Sequence, residues 1–375
     1  MLIKSIKYCY DDVAIMPTVT SCVEHRKQCK PYDENGFLPI FTAPMSSVIN
    51  SENFELFEKN NIYGILPRSE PYETRLNYCL NNKWSAFSLA EFKDLFCDEQ
   101  LVDNYKNMPK KALIDVANGH MKVLFKIIKK AKELYGESLT IMMGNIANPE
   151  TYLECAKCGV DYVRCSIGSG MGCITSSNLG LHFPNASLID AIVTYKRELK
   201  KSKDLCDSDL PKIIADGGIR NYSDVNKALA LGADYVMIGG LFSQLVESCA
   251  KTFYYNKDND LIELFPLNGD NIIEQDGIFS FEKEGKIFLI DKIYKVFYGM
   301  ASKNGQIDIN GKKLKTSEGI TKTLECTTNL SKWTENMSDY LKSAMSYTNC
   351  TNLIQFKNNV DCIIISENSK KSINK

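Results

Sequence analysis

Histidine and net charge are both scarce in this chain of 375 residues, which has three histidines. Its 45 basic and 46 acidic residues give a formal net charge of -1, so no overall field attracts it to nucleic acid or to an anionic membrane. No apolar run reaches the roughly 18 residues of a membrane span, and lysine and aspartate interrupt the N-terminus too early for a secretory signal. We therefore expect a cytoplasmic protein that binds neither nucleic acid nor membrane.

Cysteine, in contrast, is abundant, with 14 residues spread along the chain. Without a secretory signal, most of these thiols are expected to be reduced and to be buried as small apolar side chains. Cys155 and Cys158 form a CxxC pair in an apparent helix, without a second pair or a neighbouring histidine. This context favours a structural helix over a zinc site.

The first two thirds of the chain alternate short apolar runs with amphipathic helix patterns, such as residues 121–136 and 222–233. Strands that are buried on both faces and separated by helices pair in parallel, and eight such units favour a closed α/β fold, the (β/α)8 TIM barrel. An open doubly wound sheet is the alternative. The predicted strands are residues 38–44, 62–67, 84–88, 111–117, 139–145, 161–166, 211–217 and 234–240.

The pattern changes after residue 245 to hairpin-like pieces followed by a polar, glycine-bearing segment. We expect one barrel domain over residues 1–375 that carries a β-hairpin insertion and a mobile flap within residues 249–320. A final helix is predicted over 330–347, and the polar tail 367–375 is expected to be frayed. The predicted hairpin turns are Asn268-Gly269, Asp276-Gly277 and Glu284-Gly285.

Glycine-rich turns follow the last two predicted strands, at the rim where such barrels place their chemistry. Gly217 and Gly218 in ADGGIR, with Gly239 and Gly240 in MIGG, are candidates for binding phosphate through backbone N–H groups. The alternative is that they only form tight turns. Asp216 is placed to accept hydrogen bonds from ribose hydroxyls, although it could instead cap a helix. The combination indicates a nucleotide.

The segment GSGMGCITSS, residues 168–177, sets Cys173 in a loop rich in glycine. Glycine leaves room for a ligand to approach the backbone, and a thiolate attacks electrophilic carbon readily. Local features leave a catalytic and a structural cysteine equally open. Thr175 could position a water or an amine, or could be an ordinary turn residue. No partner histidine lies beside Cys173 in the sequence, since the three histidines are His25, His120 and His182.

A series of motifs over residues 8–320 resembles the IMP dehydrogenase and GMP reductase family, in the family's order. They are YDDV at 10–13, APM at 43–45, DVANGH at 115–120, GN followed by NPE, GxGxxCIT, IADGGIR, ALALGADYVMIGG, FYGMAS, and SEG at 317–319. The resemblance implies a (β/α)8 barrel in which a cysteine attacks C2 of a purine 5′-monophosphate, GMP or IMP. Hydride then passes between C2 and a nicotinamide cofactor.

The resemblance also implies a role for each matching residue. Cys173 would be the nucleophile, with Asp216 on the ribose. Further substrate contacts, to phosphate and base, would come from Met45, Gly217, Gly218, Gly239, Gly240, Gly299 and Met300. The nicotinamide site would be lined by Asp115, Val116, Ala117, Asn118 and Gly119. In the dehydrogenase branch, potassium would bind the main-chain carbonyls of Gly168, Gly170 and Cys173.

The two branches of the family differ in the residues that handle water and protons. Dehydrogenases of this family activate water with an Arg-Tyr pair on the flap, whereas reductases expel ammonia with the help of a threonine and a glutamate. This chain has no arginine after Arg220, and its presumed flap, residues 301–318, lacks tyrosine. Thr175 and Glu318 are both present. These features, and the lack of a regulatory CBS module, favour a GMP reductase that uses NADPH.

Several departures keep other functions open. APM and SAMSYT are closer to dehydrogenase sequences, so an IMP dehydrogenase that uses NAD is one alternative. Met171 and Gly172 replace the residues usual before the cysteine, where a serine often helps to hold phosphate, and an insertion lies between Glu247 and Phe297. A nucleotide-binding regulator without turnover is therefore a second alternative. By analogy with the family, the chain is expected to form a homotetramer or an octamer.

Overall fold

The structure is a computed structural model that describes residues 5–203, 206, 209–256, 260–266, 271–275, 278–283, 286–311 and 316–373. The three predicted turns, Asn268-Gly269, Asp276-Gly277 and Glu284-Gly285, lie outside the described residues.

A parallel barrel of eight strands forms the centre of the fold. After β1 (Val13–Ile15), which lies outside the barrel, its strands run in the order β2-β9-β8-β7-β6-β5-β4-β3. The barrel closes because Thr42 N donates to Tyr63 O at 2.9 Å and Tyr63 N donates to Ile40 O at 3.0 Å. The predicted (β/α)8 TIM barrel is confirmed, and the open sheet is excluded. The barrel strands are β2 (Ile40–Thr42), β3 (Ile65–Leu66), β4 (Trp84–Phe87), β5 (Lys110–Asp115), β6 (Leu139–Ile146), β7 (Tyr162–Cys165), β8 (Lys212–Asp216) and β9 (Tyr235–Ile238).

Barrel strands are apolar on both faces because each face meets a different part of the core. Side chains such as Phe41, Leu113 and Met142 fill the barrel interior, while Ile114 and Val163 pack outward against the helices. Each fully buried side chain of this kind contributes about 1.5–3 kcal/mol. This two-sided burial explains why the strands were visible in the sequence as continuous apolar runs.

Helices cover the outside of the barrel and confirm the amphipathic patterns. The predicted helix over 121–136 ends at Gly136, whose φ of 53° is in the left-handed region. No described helix combines the length and apolar character needed to cross a bilayer. The helices are α1 (Phe54–Lys59), α2 (Tyr72–Leu80), α3 (Leu89–Phe96), α4 (Glu99–Tyr105), α5 (Lys122–Tyr135), α6 (Thr151–Lys157), α7 (Thr175–Leu179), α8 (Asn185–Lys203), α9 (Tyr222–Ala230), α10 (Gly240–Ser243), α11 (Lys303–Asn310), α12 (Leu330–Tyr347), α13 (Leu353–Asn359) and α14 (Glu367–Ile373).

The insertion after the barrel consists of antiparallel strands, as its hairpin-like pattern predicts. One sheet has the order β11-β10-β15-β16 and the other the order β12-β13-β14. Helix α11 lies within the presumed flap, between β15 and β16. Mobility of this flap stays a prediction. The strands are β10 (Thr252–Tyr255), β11 (Leu261–Leu264), β12 (Asn271–Gln275), β13 (Ile278–Lys283), β14 (Lys286–Ile290), β15 (Tyr294–Tyr298) and β16 (Thr321–Glu325).

The C-terminal region agrees with one prediction and contradicts another. Helix α12 occupies the predicted residues 330–347. Fraying was wrong for the described part of the tail: residues 367–373 form α14, directly after β17 (Cys362–Ile364), which pairs with β1. Lys370 on α14 forms ion pairs with Asp12 and Glu367. The pair with Asp12 anchors a polar helix that the sequence pattern alone does not reveal.

Candidate active site

A cavity of about 470 Å³ opens at the C-terminal ends of the barrel strands. Strand ends and loops from both halves of the chain line it, together with residues of the flap (residues 301–318) and of β15 and β16. Most of the predicted site residues meet here. They are Met45, Asp115, Gly170, Cys173, Asp216, Gly217, Gly218, Gly239, Gly240, Gly299, Met300 and Glu318.

Six predicted residues do not line this cavity. Thr175 lies behind Cys173, and Gly168 lies at the start of the same loop. Val116 and Gly119 are held against the end of β6, where Val116 N donates to Gly144 O at 3.1 Å and Gly119 N donates to Asn145 O at 2.9 Å. The nicotinamide role of these residues stays a prediction. The six are Val116, Ala117, Asn118, Gly119, Gly168 and Thr175.

Cys173, Thr175 and Glu318 form a continuous line of hydrogen bonds. The Cys173 thiol donates to Thr175 Oγ1 at 3.2 Å, and the Thr175 hydroxyl donates to Glu318 Oε2 at 3.1 Å. Thr175 begins α7, whereas Glu318 is at the end of the flap. The Thr175 hydroxyl accepts from the thiol and donates to the carboxylate, so the line can carry a proton between the two.

Backbone pairing holds the two ends of this line together. Cys173 and Gly319 form an antiparallel bridge, in which Ile174 N donates to Glu318 O and Ile320 N donates to Gly172 O, each at 2.9 Å. A Cβ added to Gly319 would lie 3.1 Å from Gly172 O in the cysteine loop and 2.8 Å from Ser302 N in the flap. Only glycine permits this close approach of the flap to the cysteine loop.

A carboxylate anchors the flap helix to the barrel rim. Asp308 on α11 accepts hydrogen bonds at Oδ2 from the Ser46 hydroxyl at 2.5 Å and from the Tyr298 hydroxyl at 2.8 Å. Burial, followed by the hydrogen bond to Asp308 and the charge of that carboxylate, raises the pKa of Tyr298 to about 12. The protonated phenol donates its hydrogen bond to Asp308 and so ties the flap helix α11 to the end of β15.

A buried arginine that the sequence analysis did not single out joins the two predicted ligand-binding aspartates. Arg164 on β7 contacts Asp115 Oδ1 through Nη1 at 2.6 Å and Asp216 Oδ2 through Nη2 at 2.9 Å. Burial opposes the charge of Arg164, but the Asp216 and Asp115 carboxylates outweigh it and raise the arginine pKa. The sequence did offer a signal for its role, since an arginine within a strand predicted to be buried needs a charged partner. A Cβ at Gly144 would lie 2.4 Å from Arg164 Cβ, so a glycine there makes room for this arginine.

Asp216 keeps one carboxylate oxygen available to a ligand. Its Oδ2 accepts from Asn145 Nδ2 at 2.6 Å and from Arg164, while Oδ1 accepts none of these bonds. Gly217 and Gly218 follow with φ of 84° and 73°, which turns the chain sharply away from the strand end. Asn185 Nδ2 donates to Gly217 O at 2.6 Å and fixes this turn. The hydrogen bonds from Asn145 and Arg164 thus hold the Asp216 carboxylate in place and leave Oδ1 as the acceptor for a ligand.

Neither the histidines nor the CxxC pair contributes to the cavity. His120 contacts Thr151 Oγ1 at 2.9 Å through Nδ1, and burial lowers its pKa. Cys155 lies in α6, as predicted, with Sγ 3.6 Å from Met143 Sδ. Burial raises the pKa of Cys158 to about 12. Among the described residues, no group of three or more His, Cys, Asp or Glu side chains is arranged to hold a metal ion.

Two of the three loop carbonyls predicted to bind potassium, those of Gly168 and Gly170, accept internal hydrogen bonds. Gly168 O accepts from the Ser176 hydroxyl at 3.1 Å, and Gly170 O accepts from Cys173 N at 3.0 Å. These bonds support the loop around the cysteine. The potassium site stays a prediction that rests on the resemblance.

Comparisons with known proteins agree with the motifs. The model of the IMP dehydrogenase / GMP reductase domain matches residues 106–261. A GMP reductase of Bacillus subtilis is 27% identical over 375 residues, which cover 95% of this chain and 95% of the relative. GMP reductases of an Exiguobacterium species and of Clostridium acetobutylicum are 29% and 28% identical, over 65% and 81% of this chain and 73% and 82% of the relatives. The family resemblance is thus confirmed.

Proposed function

We propose that this chain is a purine nucleotide oxidoreductase that acts at C2 through Cys173, and that it works as a GMP reductase. The reaction would convert GMP and NADPH to IMP, ammonia and NADP. The observation that carries the proposal is the line of hydrogen bonds from the Cys173 thiol through Thr175 to Glu318. The curated relatives, named GMP reductase, support the same direction.

The line of hydrogen bonds supplies what loss of ammonia requires. As Cys173 Sγ bonds to C2, the thiol proton passes through Thr175 to Glu318. The same proton then returns through Thr175 to the 2-amino group, which leaves as ammonia while sulfur stays bonded to C2. Reduction at C2 then breaks the carbon–sulfur bond, and the electron pair returns to sulfur. One carboxylate therefore acts first as a base and then as an acid.

The rest of the cavity holds the substrate in position for this attack. Asp216 would accept hydrogen bonds from ribose hydroxyls, and its support by Arg164 and Asn145 keeps the carboxylate in place. Gly299 and Met300 line the cavity from the side of the flap, where they would contact the base. Glycine turns at Gly218 and Gly240 would supply amides to the phosphate.

NADPH, when bound, would supply the hydride that reduces C2. Of the five predicted cofactor residues, Asp115 lines the cavity, and Arg164 holds its carboxylate in place. This carboxylate could accept a hydrogen bond from a sugar hydroxyl of the cofactor. The preference for NADPH over NADH follows from the reductase branch of the resemblance. Assembly into a homotetramer or octamer is proposed on the same ground.

A two-by-two assay tests the direction of the reaction. Purified protein is incubated with GMP or IMP against reduced or oxidised cofactor, and ammonia and XMP are both quantified. We expect GMP with NADPH to consume cofactor and to release ammonia in equal amounts. Formation of XMP and reduced cofactor from IMP and NAD would replace the proposal with IMP dehydrogenase. Nucleotide binding by calorimetry without turnover in any pairing would identify a regulator.

A further inference from the structure

Ser46 connects two walls of the cavity that come from distant parts of the chain. It directly follows Met45, which lines the cavity after β2. Its backbone N–H donates to Met300 Sδ at 3.5 Å, and Met300 lines the cavity after β15. Ser46 is therefore adjacent in the chain to one predicted substrate contact and touches another.

The flap helix α11 holds Ser46 through a carboxylate. Asp308 Oδ2 accepts from the Ser46 hydroxyl at 2.5 Å and from the Tyr298 hydroxyl at 2.8 Å. Since Ser46 belongs to the barrel rim and Tyr298 ends β15, one oxygen atom joins both walls. The Ser47 hydroxyl adds a bond between the same walls, to Tyr298 O at 3.3 Å. A carboxylate accepts hydrogen bonds about twice as strongly as a neutral oxygen, so Asp308 is the strongest acceptor in this group.

The other end of α11 lies directly on the backbone of Met300. A Cβ added to Gly305 in the first turn of the helix would lie 2.5 Å from Met300 Cα and 2.7 Å from Met300 O, so a glycine is needed there. The helix thus touches Met300 near its start and is tied to the rim by Asp308 near its end. A shift of α11 is therefore expected to move Met300.

Glu318 has a separate attachment, although it belongs to the same flap. Ile174 N donates to Glu318 O at 2.9 Å, and the Thr175 hydroxyl donates to Glu318 Oε2. These bonds come from the cysteine loop and do not involve Asp308. Loss of Asp308 should therefore disturb Met300 and leave the line of proton transfer in place.

We propose that Asp308 is a positioning residue for the purine base, because it fixes Ser46 against Tyr298 and so sets where Met300 meets the substrate. The inference rests on the proposed reaction of GMP and concerns how the base is held. Asp308 is exposed, so water screens its charge. The effect of removing it belongs at the low end of the ten- to hundredfold that a hydrogen bond to a charged group is roughly worth.

Steady-state kinetics with GMP and NADPH test the inference. Asp308→Ala should raise the KM for GMP at least about fivefold and keep kcat within about threefold of the wild type, since the lost contact holds ground state and transition state alike. Calorimetry should show the same factor in the Kd of GMP. Asp308→Asn keeps an acceptor oxygen without the charge, so its KM should fall between the two. Asp94→Ala, an exposed aspartate on α3, is the matched control with unchanged KM and kcat.

Ser46→Ala tests the same contact from the barrel side and keeps the test decisive if alanine at 308 disturbs folding. It removes one of the two donors and should raise the KM for GMP at least about twofold. Because both substitutions interrupt one interaction, the double variant should have nearly the KM of Asp308→Ala alone. Additive effects of the two substitutions would show that Asp308 does not act through Ser46.

The outcomes separate this inference from the proposed function. A rise in KM of less than about fivefold in Asp308→Ala, or a fall in kcat without a rise in KM, overturns the positioning role and leaves the reductase proposal intact. A merely structural role would lower the folded fraction, and with it kcat, while KM stayed the same. If the wild-type protein binds GMP but does not turn it over with NADPH, the proposed function fails, and the Kd values of the variants still decide the role of Asp308.

Discussion

The hydroxyl of Thr175 donates to Glu318 Oε2 at 3.1 Å, although 143 residues separate the two positions along the chain. The contact brings the flap and the cysteine loop into one constellation. Thr175 also accepts from the Cys173 thiol, so its hydroxyl joins a sulfur nucleophile to a carboxylate. A constellation without histidine can thereby move protons at the site of attack.

Cys173→Ser is expected to lower kcat by on the order of 10³-fold or more, because the hydroxyl is a far weaker nucleophile than the thiolate. Turnover of GMP with NADPH should fall, whereas GMP binding by calorimetry should persist. Cys22→Ser changes an exposed cysteine and serves as the control with unaltered activity. A Cys173→Ser variant with wild-type kcat would remove the covalent mechanism.

Glu318→Gln and Thr175→Val each interrupt the line of proton transfer, and each should lower kcat by about 10²–10⁴-fold. Because the two residues act as one unit, the double variant should lose scarcely more activity than either single variant. Stopped-flow measurement of ammonia release locates the defect in the first half-reaction. Glu73→Gln, an exposed change on α2, is the control. Additive losses would show that Thr175 and Glu318 act separately.

Arg164→Ala should lower the free energy of unfolding by about 3 kcal/mol or more, since it leaves the Asp115 and Asp216 carboxylates without their shared cation. Urea denaturation measures the loss. Arg26→Ala breaks an exposed ion pair with Asp339 and should cost about 1 kcal/mol or less. Equal losses in the two variants would show that the buried bridge contributes no more than a surface pair.

Buried Lys295 predicts a specific dependence of stability on pH. Its Nζ donates to Val246 O at 2.8 Å and to Ser248 O at 3.3 Å, and burial lowers its pKa from 10.5 to about 8. Between these two pKa values the unfolded chain binds more protons than the folded one, so this residue makes the free energy of unfolding rise with pH. Below about pH 8 both states are charged, and the full penalty of burial is present.

Comparison with Lys295→Met isolates this effect from other titrating groups. The stability of the wild type relative to the variant should be constant below about pH 8 and should rise by about 3 kcal/mol toward pH 10.5. Urea denaturation of both proteins across this range provides the measurement. A difference that stays flat would mean that Lys295 is neutral, or fully solvated, in the folded protein.

The barrel was predictable because its strands are buried on both faces, which leaves continuous apolar runs such as 139–145 in the sequence. Helix α14 was not predictable, since its polar residues lack an apolar stripe and its anchor, the ion pair between Lys370 and Asp12, joins the two ends of the chain. Local patterns reveal elements that bury surface; they do not reveal elements held by distant charges.

The site residues also divide into those that local sequence patterns predicted and those that only distant contacts define. Motif order and strand ends predicted Cys173 and Asp216, because both lie where barrel strands deliver their loops to one rim. Arg164 was missed because it lies inside a buried strand, and its partners Asp115 and Asp216 come from two other strands, 49 and 52 residues away. The sequence also showed Met171 as a departure. Only the folded chain shows that its methyl group lies against Gly240.

The backbone bridge between Cys173 and Gly319 couples the position of the nucleophile to that of its proton acceptor, Glu318. Withdrawal of Glu318 from Thr175 along with its backbone must break the two hydrogen bonds on either side of the bridge. Main-chain hydrogen bonds, as well as side-chain hydrogen bonds, therefore connect the cysteine loop to the segment that carries Glu318. Substitutions that leave Cys173, Thr175 and Glu318 in place can still lower activity if they weaken the backbone bridge between Cys173 and Gly319.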